Sequence, residues 1–383
     1  MSELRAAPAY LGQVATSGMV PNGFAEPNKQ LMSRVPHWAC DTLTSVQLVY
    51  GNWYVAALTG AADGTEATIG SAAMTIEASI EYPAGVFTRV QFSAANQGSC
   101  AAGATIVSDA CAVAIPAGAQ FWTRTWVSNA DGVQFCNVSP FGNLLAYGVT
   151  TTNYVMSAGT IAASASLGYG PLAIIGQTRK PSLFLLGDSI CAGIGETTDA
   201  TLHRGVLARS LNGLGYINMG VDGDYATNVA TKFTKRGALA AYCSHVICQL
   251  SVNDLLNGRT AAQAHTDLQT IYAFAAFAGK PIWQTTATPF GVGQSGGYVS
   301  DANQTAHGSN AARVTFNDTL RGGIAGIRGV IDVAGVLESA TKTGVWATDR
   351  GANALTGDGT HPNRRGYLRV QSANVIMPGM FVR

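Results

Sequence analysis

The feature that most constrains this chain is a change of pattern at Lys180-Pro181. Beyond it, strand-like runs at 183–187, 215–219, 245–250, 281–286 and 329–333 alternate with helix-like segments near 200–213, 226–242, 260–278 and 309–321. In the clearest of these helices Leu268, Ile271, Phe274 and Phe277 fall at helical spacing. Alternation of this kind predicts a parallel sheet with helices on both faces, because a right-handed crossover packs each helix back onto the sheet. Residues 181–383 therefore read as one α/β domain.

Before the change the text is different. Met74, Ile76, Ala78, Ile80 and Tyr82 alternate with Thr75, Glu77, Ser79 and Glu81, the period of a half-buried strand. Pro83-Ala84-Gly85 then turns the chain into 86–92, and Ile115-Pro116-Ala117-Gly118 leads in the same way into 120–127. No helix-length amphipathic pattern appears, so 46–180 is predicted to be an all-β domain, a sandwich or jelly roll. Residues 1–45 show no period and several Pro, Gly and Asn residues, and read as an extended N-terminal arm. Trp53, Trp122 and Trp126 offer a face for stacking sugars, although large aromatics more often fill small β cores.

Composition narrows the function classes. A chain of 383 residues suits two domains, and 47% hydrophobic residues supply their cores. Only 12% are charged, about half the usual share, and the net charge is +1. No basic field exists for a nucleic acid or an anionic membrane, and neither is expected as a partner. No apolar run reaches membrane-spanning length. Met1-Ser2-Glu3-Leu4-Arg5 lacks the basic-then-apolar opening of a signal peptide, yet low charge with abundant Gly, Ala, Thr and Ser suggests an extracellular or particle-associated protein. The seven cysteines show no CxxC spacing, so no metal is expected. Cys100 with Cys111, and Cys40 with Cys136, are candidate disulfide pairs; the other reading is that the cysteines are small buried hydrophobes.

The strand ends of the second half carry the chemistry. The apolar run 182–187 stops at Gly187-Asp188-Ser189, which places a serine at the carboxyl edge of a sheet, where open α/β folds hold their ligands. The second strand ends in Asn218-Met219-Gly220-Val221-Asp222-Gly223, whose glycines let backbone N–H groups approach a ligand. The third gives Ser251-Val252-Asn253-Asp254, with a side-chain amide donor. After the fifth comes Asp358-Gly359-Thr360-His361-Pro362, a carboxylate three residues ahead of an imidazole and able to orient it as a general base.

With these four blocks in this order, residues 181–383 resemble the SGNH hydrolases, also called the GDSL esterase/lipase superfamily. The resemblance implies a flavodoxin-like α/β/α sandwich, with Ser189 as nucleophile, His361 as general base and Asp358 as its orienting partner. It further implies an oxyanion hole made of the Ser189 and Gly220 N–H groups and the Asn253 amide, with no cofactor. Ile190 stands where the family commonly has Leu, and Ser251 where it commonly has Gly. Asp188 is expected to be structural, and Asp222 and Asp224 to lie in a solvated loop. The loop 287–310 and Trp346 are expected to shape the substrate pocket.

The expected reaction is hydrolysis of short acyl esters, acetyl above all, on a carbohydrate, through an acyl-enzyme on Ser189. Two other readings stand beside it. One is a general short-chain esterase or lipase; the other is a glycan-binding surface or viral tail protein carrying a deacetylase domain.

Overall fold

The computed structural model describes residues 7–17, 20–56, 64–136, 143–164, 168–197, 204–294, 297–349 and 352–383. The first half is built from two antiparallel sheets. One runs in the order Tyr10–Gln13, Ala173–Thr178, Leu43–Gly51, Thr105–Val107, with Cys111–Ile115 also on Leu43–Gly51. The other runs Gly98–Cys100, Met74–Glu81, Gln120–Ser128, Gln30–Trp38, Asn143–Gly148, Ala163–Ser164, with Phe87–Val90 on Met74–Glu81. Leu48, Tyr50 and Ile174 of the first sheet share a core with Leu31, Ile76, Ile80, Phe121 and Val127 of the second. The alternation at 74–82 thus buries one face between two sheets.

Residues 1–45 are not an arm. Gln30–Trp38 is an interior strand, paired along its length with Gln120–Ser128 and on its other edge with Asn143–Gly148. Its lack of alternation has a physical cause: Leu31 packs into the inter-sheet core, while Met32 packs on the other side against Val155 and Ile161. A strand buried on both faces shows no period of two.

The second half holds a parallel sheet in the order Gly215–Gly220, Ser182–Gly187, His245–Gln249, Ile282–Thr285, Gly329–Ile331. This order, 2-1-3-4-5 in sequence, is the flavodoxin-like arrangement. Thr16–Ser17, from the N-terminal segment, adds a sixth parallel strand beside Gly215–Gly220. The helix Asn310–Arg321 matches the sequence expectation and Arg364–Ser372 adds to it, whereas the helix expected near 260–278 ends at Tyr272, with Phe277 in a separate 3₁₀ turn, Ala275–Phe277. The expected helix near 226–242 is broken into Ala226–Lys232, Lys235–Ala238 and a 3₁₀ turn. The expected helix near 200–213 lies partly outside the described residues, and its described part contains only the 3₁₀ turn Ala208–Ser210.

The two halves share one core. Val49, Trp53, Val55, Leu172 and Ile175 of the β half pack with Leu183, Leu185, Ile217 and Met219 of the parallel sheet. The Trp53 side chain is wholly enclosed there, so it takes no part in a sugar-stacking face. Trp122 lies under the Arg34 guanidinium, 4.1 Å from its ring centre, and the Trp126 indole N–H donates to the Thr151 carbonyl. All seven cysteines are buried and unbridged, including both candidate pairs.

Candidate active site

Ser182–Gly187 is buried throughout, and the chain leaves it in a tight strand-to-helix elbow at Asp188 and Ser189. Neighbouring strands clamp that elbow from both sides. From the third strand, Gln249 Oε1 accepts from the Asp188 and Cys191 N–H groups at 3.3 and 3.1 Å. From the second, Asn218 Nδ2 donates to the Cys191 carbonyl at 3.1 Å. Asp188 caps the short helix through Oδ1, which accepts from Ile190 N–H at 2.9 Å. That is the structural part expected of it. Its Oδ2 is buried without a partner among the described residues, and burial pushes the carboxyl up to about 7.

The loop after the last strand brings His361 to this serine. His361 Nε2 lies 2.8 Å from Ser189 Oγ, and Nδ1 lies 2.7 Å from Asp358 Oδ2. Asp358 Oδ1 accepts from the Thr360 and His361 N–H groups at 2.9 and 2.8 Å, closing the turn that the three-residue spacing implied. Burial pushes the Asp358 carboxyl up, but its hydrogen bonds to His361 and Thr360 outweigh this and hold it well below the usual carboxylate range. For His361, burial pulls the pKa down; the bond and charge of Asp358, with the charges of Asp188 and Asp222, raise it above the ordinary value.

The loop is braced by residues the motif does not contain. Thr356 Oγ1 donates to the His361 carbonyl at 2.7 Å, and Tyr298 donates to the Asp358 carbonyl at 3.0 Å. The Trp346 indole N–H donates to the Gly359 carbonyl at 2.8 Å. Trp346 is fully buried, so it holds the histidine loop and does not line a pocket. Gly359 has φ +85°, and a Cβ there would meet the Gly291 carbonyl and the Tyr298 hydroxyl, so only glycine fits.

Of the expected oxyanion donors, two are available. Ser189 N–H makes no hydrogen bond among the described residues, and Asn253 Nδ2 spends one hydrogen on the Asp224 carbonyl at 3.0 Å, leaving its second. The third, the Gly220 N–H, donates to Asn218 Oδ1 at 2.9 Å. Farther along this turn the N–H groups of Asp222 and Gly223 make no hydrogen bond among the described residues, and that of Gly223 carries no side chain beside it. The turn springs from beside the elbow, since Val221 N–H donates to the Gly187 carbonyl at 3.0 Å. Two glycines stand within this block, and sequence gives no means of knowing which N–H a neighbouring side chain consumes. Asp222 is exposed, as expected, but its charge reaches His361. Asp224 is no solvated loop residue; it is fully buried and bonds Arg236 Nη1 at 2.6 Å.

Beside the histidine loop lies an open cleft of about 620 Å³, whose lining includes Thr197, Tyr298, Thr356, Asn363, Arg364 and Arg365. Tyr298 comes from the 287–310 loop, which thus contributes to the cleft.

Residues 185–369 match the family model of the GDSL-like lipase/acylhydrolase family. The α/β half is a GDSL-like lipase/acylhydrolase domain. It is a hydrolase of carboxylic esters, preceded by an antiparallel all-β region. Solved structures similar to the acylhydrolase domain include a GDSL-like lipase from Bacteroides thetaiotaomicron, 12% identical, covering 50% of this chain and 84% of that one with a TM-score of 0.36. Another is TesA, 19% identical, covering 50% of this chain and 94% of that one with a TM-score of 0.32. Among curated proteins, none matches the chain. No helix among the described residues is long and apolar enough to cross a membrane.

Proposed function

We propose that the acylhydrolase domain removes short acyl groups, acetyl above all, from a carbohydrate, through an acyl-enzyme on Ser189. The observation that carries this reading is the continuous chain from Asp358 through His361 to Ser189, at 2.7 and 2.8 Å. Ser189 Oγ attacks the ester carbonyl as His361 Nε2 takes its proton, and Asp358 holds the other ring nitrogen and stabilises the imidazolium. The oxyanion is met by Ser189 N–H, the second hydrogen of the Asn253 amide and Gly223 N–H. His361 then protonates the leaving alkoxide, and a water activated by the same ring cleaves the acyl-enzyme.

The cleft wall mixes polar and apolar groups in about equal measure, and its hydroxyl, amide and guanidinium groups suit hydrogen bonding to sugar hydroxyls. The test is hydrolysis of a nitrophenyl ester series from acetyl to octanoyl by wild type and Ser189→Ala. Activity concentrated on the shortest esters and lost in the variant is the expected result. Rates that rise toward octanoyl would overturn the acetyl reading, and activity surviving in Ser189→Ala would overturn the nucleophile.

A further inference from the structure

The β half reaches toward the site through the Glu66 side chain. Glu66 belongs to the short strand Glu66–Ala67, yet its carboxylate is turned onto the acylhydrolase domain. Oε2 accepts from the Thr234 and Lys235 N–H groups at 3.1 and 2.5 Å, and Oε1 from the Arg236 N–H at 2.8 Å. Oε1 also lies 3.6 Å from Arg236 Nε. The Arg236 guanidinium continues to Asp224 Oδ2 at 2.6 Å, and both of those side chains are fully buried.

Asp224 stands between two of the groups that face the oxyanion. It follows Gly223 directly, and its carbonyl receives the Asn253 amide at 3.0 Å. Its Oδ1 accepts from Tyr225 N–H at 3.0 Å, so the peptide and the carboxylate are anchored together. Gly64, from the same β segment, backs this carboxylate: a Cβ there would sit 3.1 Å from Asp224 Oδ1.

We propose that Glu66 is a positioning residue for ester hydrolysis, setting the placement of Asp224, and with it Asn253 and Gly223, through Arg236. The inference rests on the reading of the site given above. Its physical basis is how little else holds the arginine. Arg236 Nε and Nη2 make no hydrogen bond among the described residues, so the guanidinium is placed by the Asp224 bond, the Glu66 charge and the Phe233 ring, 5.4 Å away. In a buried setting an ion pair is strong and its loss is not made good by water. Without the Glu66 charge the guanidinium relaxes toward Asp224, and the turn carrying the donors moves with it. Oxyanion donors act on the transition state, so the effect falls on kcat.

The experiment uses the full chain with nitrophenyl acetate, comparing wild type, Glu66→Gln, Gly64→Ala and Glu77→Gln, with rates expressed per folded molecule. Glu66→Gln is expected to lower kcat by about 10- to 100-fold, since a small misplacement far from the chemistry has effects of this order. KM should stay within about twofold, and the acid limb of the pH profile, which reports His361, should not move. Gly64→Ala presses a methyl group toward Asp224 and should show the same split more weakly. Glu77 pairs with Arg89 at 3.1 Å elsewhere in the β half, and Glu77→Gln should leave kcat unchanged.

The proposal is overturned if Glu66→Gln keeps kcat within about twofold of wild type, even with a lowered Tm, or if kcat and KM change together. Should Glu66→Gln fail to fold, Gly64→Ala decides on the same criteria. Ser189→Ala run alongside separates the two levels. Full activity there removes the site reading and this one with it. An inactive Ser189→Ala beside an unimpaired Glu66→Gln removes only the part assigned to Glu66.

Discussion

Two buried carboxylates, one in each half, have met opposite fates. Glu81, in the β half, accepts from Arg34 Nε and Nη2 at 2.7 and 3.0 Å, from Arg124 Nε at 2.7 Å and from Gly85 N–H at 2.9 Å. Burial pushes it up, but these bonds prevail and hold it at about 2. Asp188, beside the nucleophilic elbow, has one bonded oxygen and one without a partner, and burial raises it to about 7. Ser251, on the third strand end, repeats the pattern: its φ is +99° and its hydroxyl is buried without a partner among the described residues. Glu81 has its bonding completed by two arginines and a backbone N–H, whereas beside the serine elbow a carboxylate oxygen and a hydroxyl stay unsatisfied and one serine is held at positive φ.

The comparison can be broken from either side. Substitution in the catalytic chain has the largest effect: Ser189→Ala or His361→Ala is expected to lower kcat by about 10⁴-fold or more while Tm barely changes. A large Tm loss with modest loss of rate would instead make these residues structural. Glu81→Gln should do the reverse. Removing one member of a buried ionic set destabilises by roughly 3–5 kcal/mol, measured by denaturant unfolding, with kcat per folded molecule unchanged.

The pH dependence sharpens the contrast. The folded-state pKa of Glu81 is depressed, so its stabilisation is present above its ordinary value near 4.5 and lost as pH falls toward about 2. That of Asp188 is raised, so its penalty builds as pH climbs from its ordinary value near 3.8 to about 7, then levels off. Asp188→Asn keeps the oxygen that caps Ile190 and removes the ionisation. Its Tm advantage over wild type should therefore grow between pH 4 and pH 7. The same change removes a charge that raises His361, so the acid limb of kcat/KM should shift to lower pH. A Tm difference that is flat with pH would show that Asp188 is not neutralised on folding. The smallest effect is at Ser251. Ser251→Gly relieves a positive φ and is expected to stabilise by about 0.5–1 kcal/mol, the strain relief being partly offset by the entropy of glycine in the unfolded chain. A loss of stability would mean that the serine side chain contributes packing that outweighs its strain.

Much of the α/β half was legible because its signals are local. Apolar runs ending in small polar residues mark strand ends, and Asp358 and His361 stand three residues apart within one turn, so their pairing needs no distant partner. The N-terminal segment was illegible for the opposite reason. Gln30–Trp38 is buried on both faces, and Thr16–Ser17 joins a sheet whose other strands begin more than a hundred residues later. Trp346 illustrates the same limit: its residue type suggested a pocket wall, but burial turned it into a brace for Gly359.

By itself the sequence determined a parallel sheet with a serine at one strand end and a local carboxylate–imidazole pair after another, because periodicity and short spacing govern those placements; that the serine meets the imidazole was implied by the family resemblance. Tertiary structure decided which backbone groups remain free and what holds them. Asn218 takes the Gly220 N–H and leaves that of Gly223 open, while Glu66, more than a hundred residues away in sequence, fixes Arg236 against Asp224. Such choices depend on which buried partner arrives within hydrogen-bond reach, and that is settled only when the two halves close on one core.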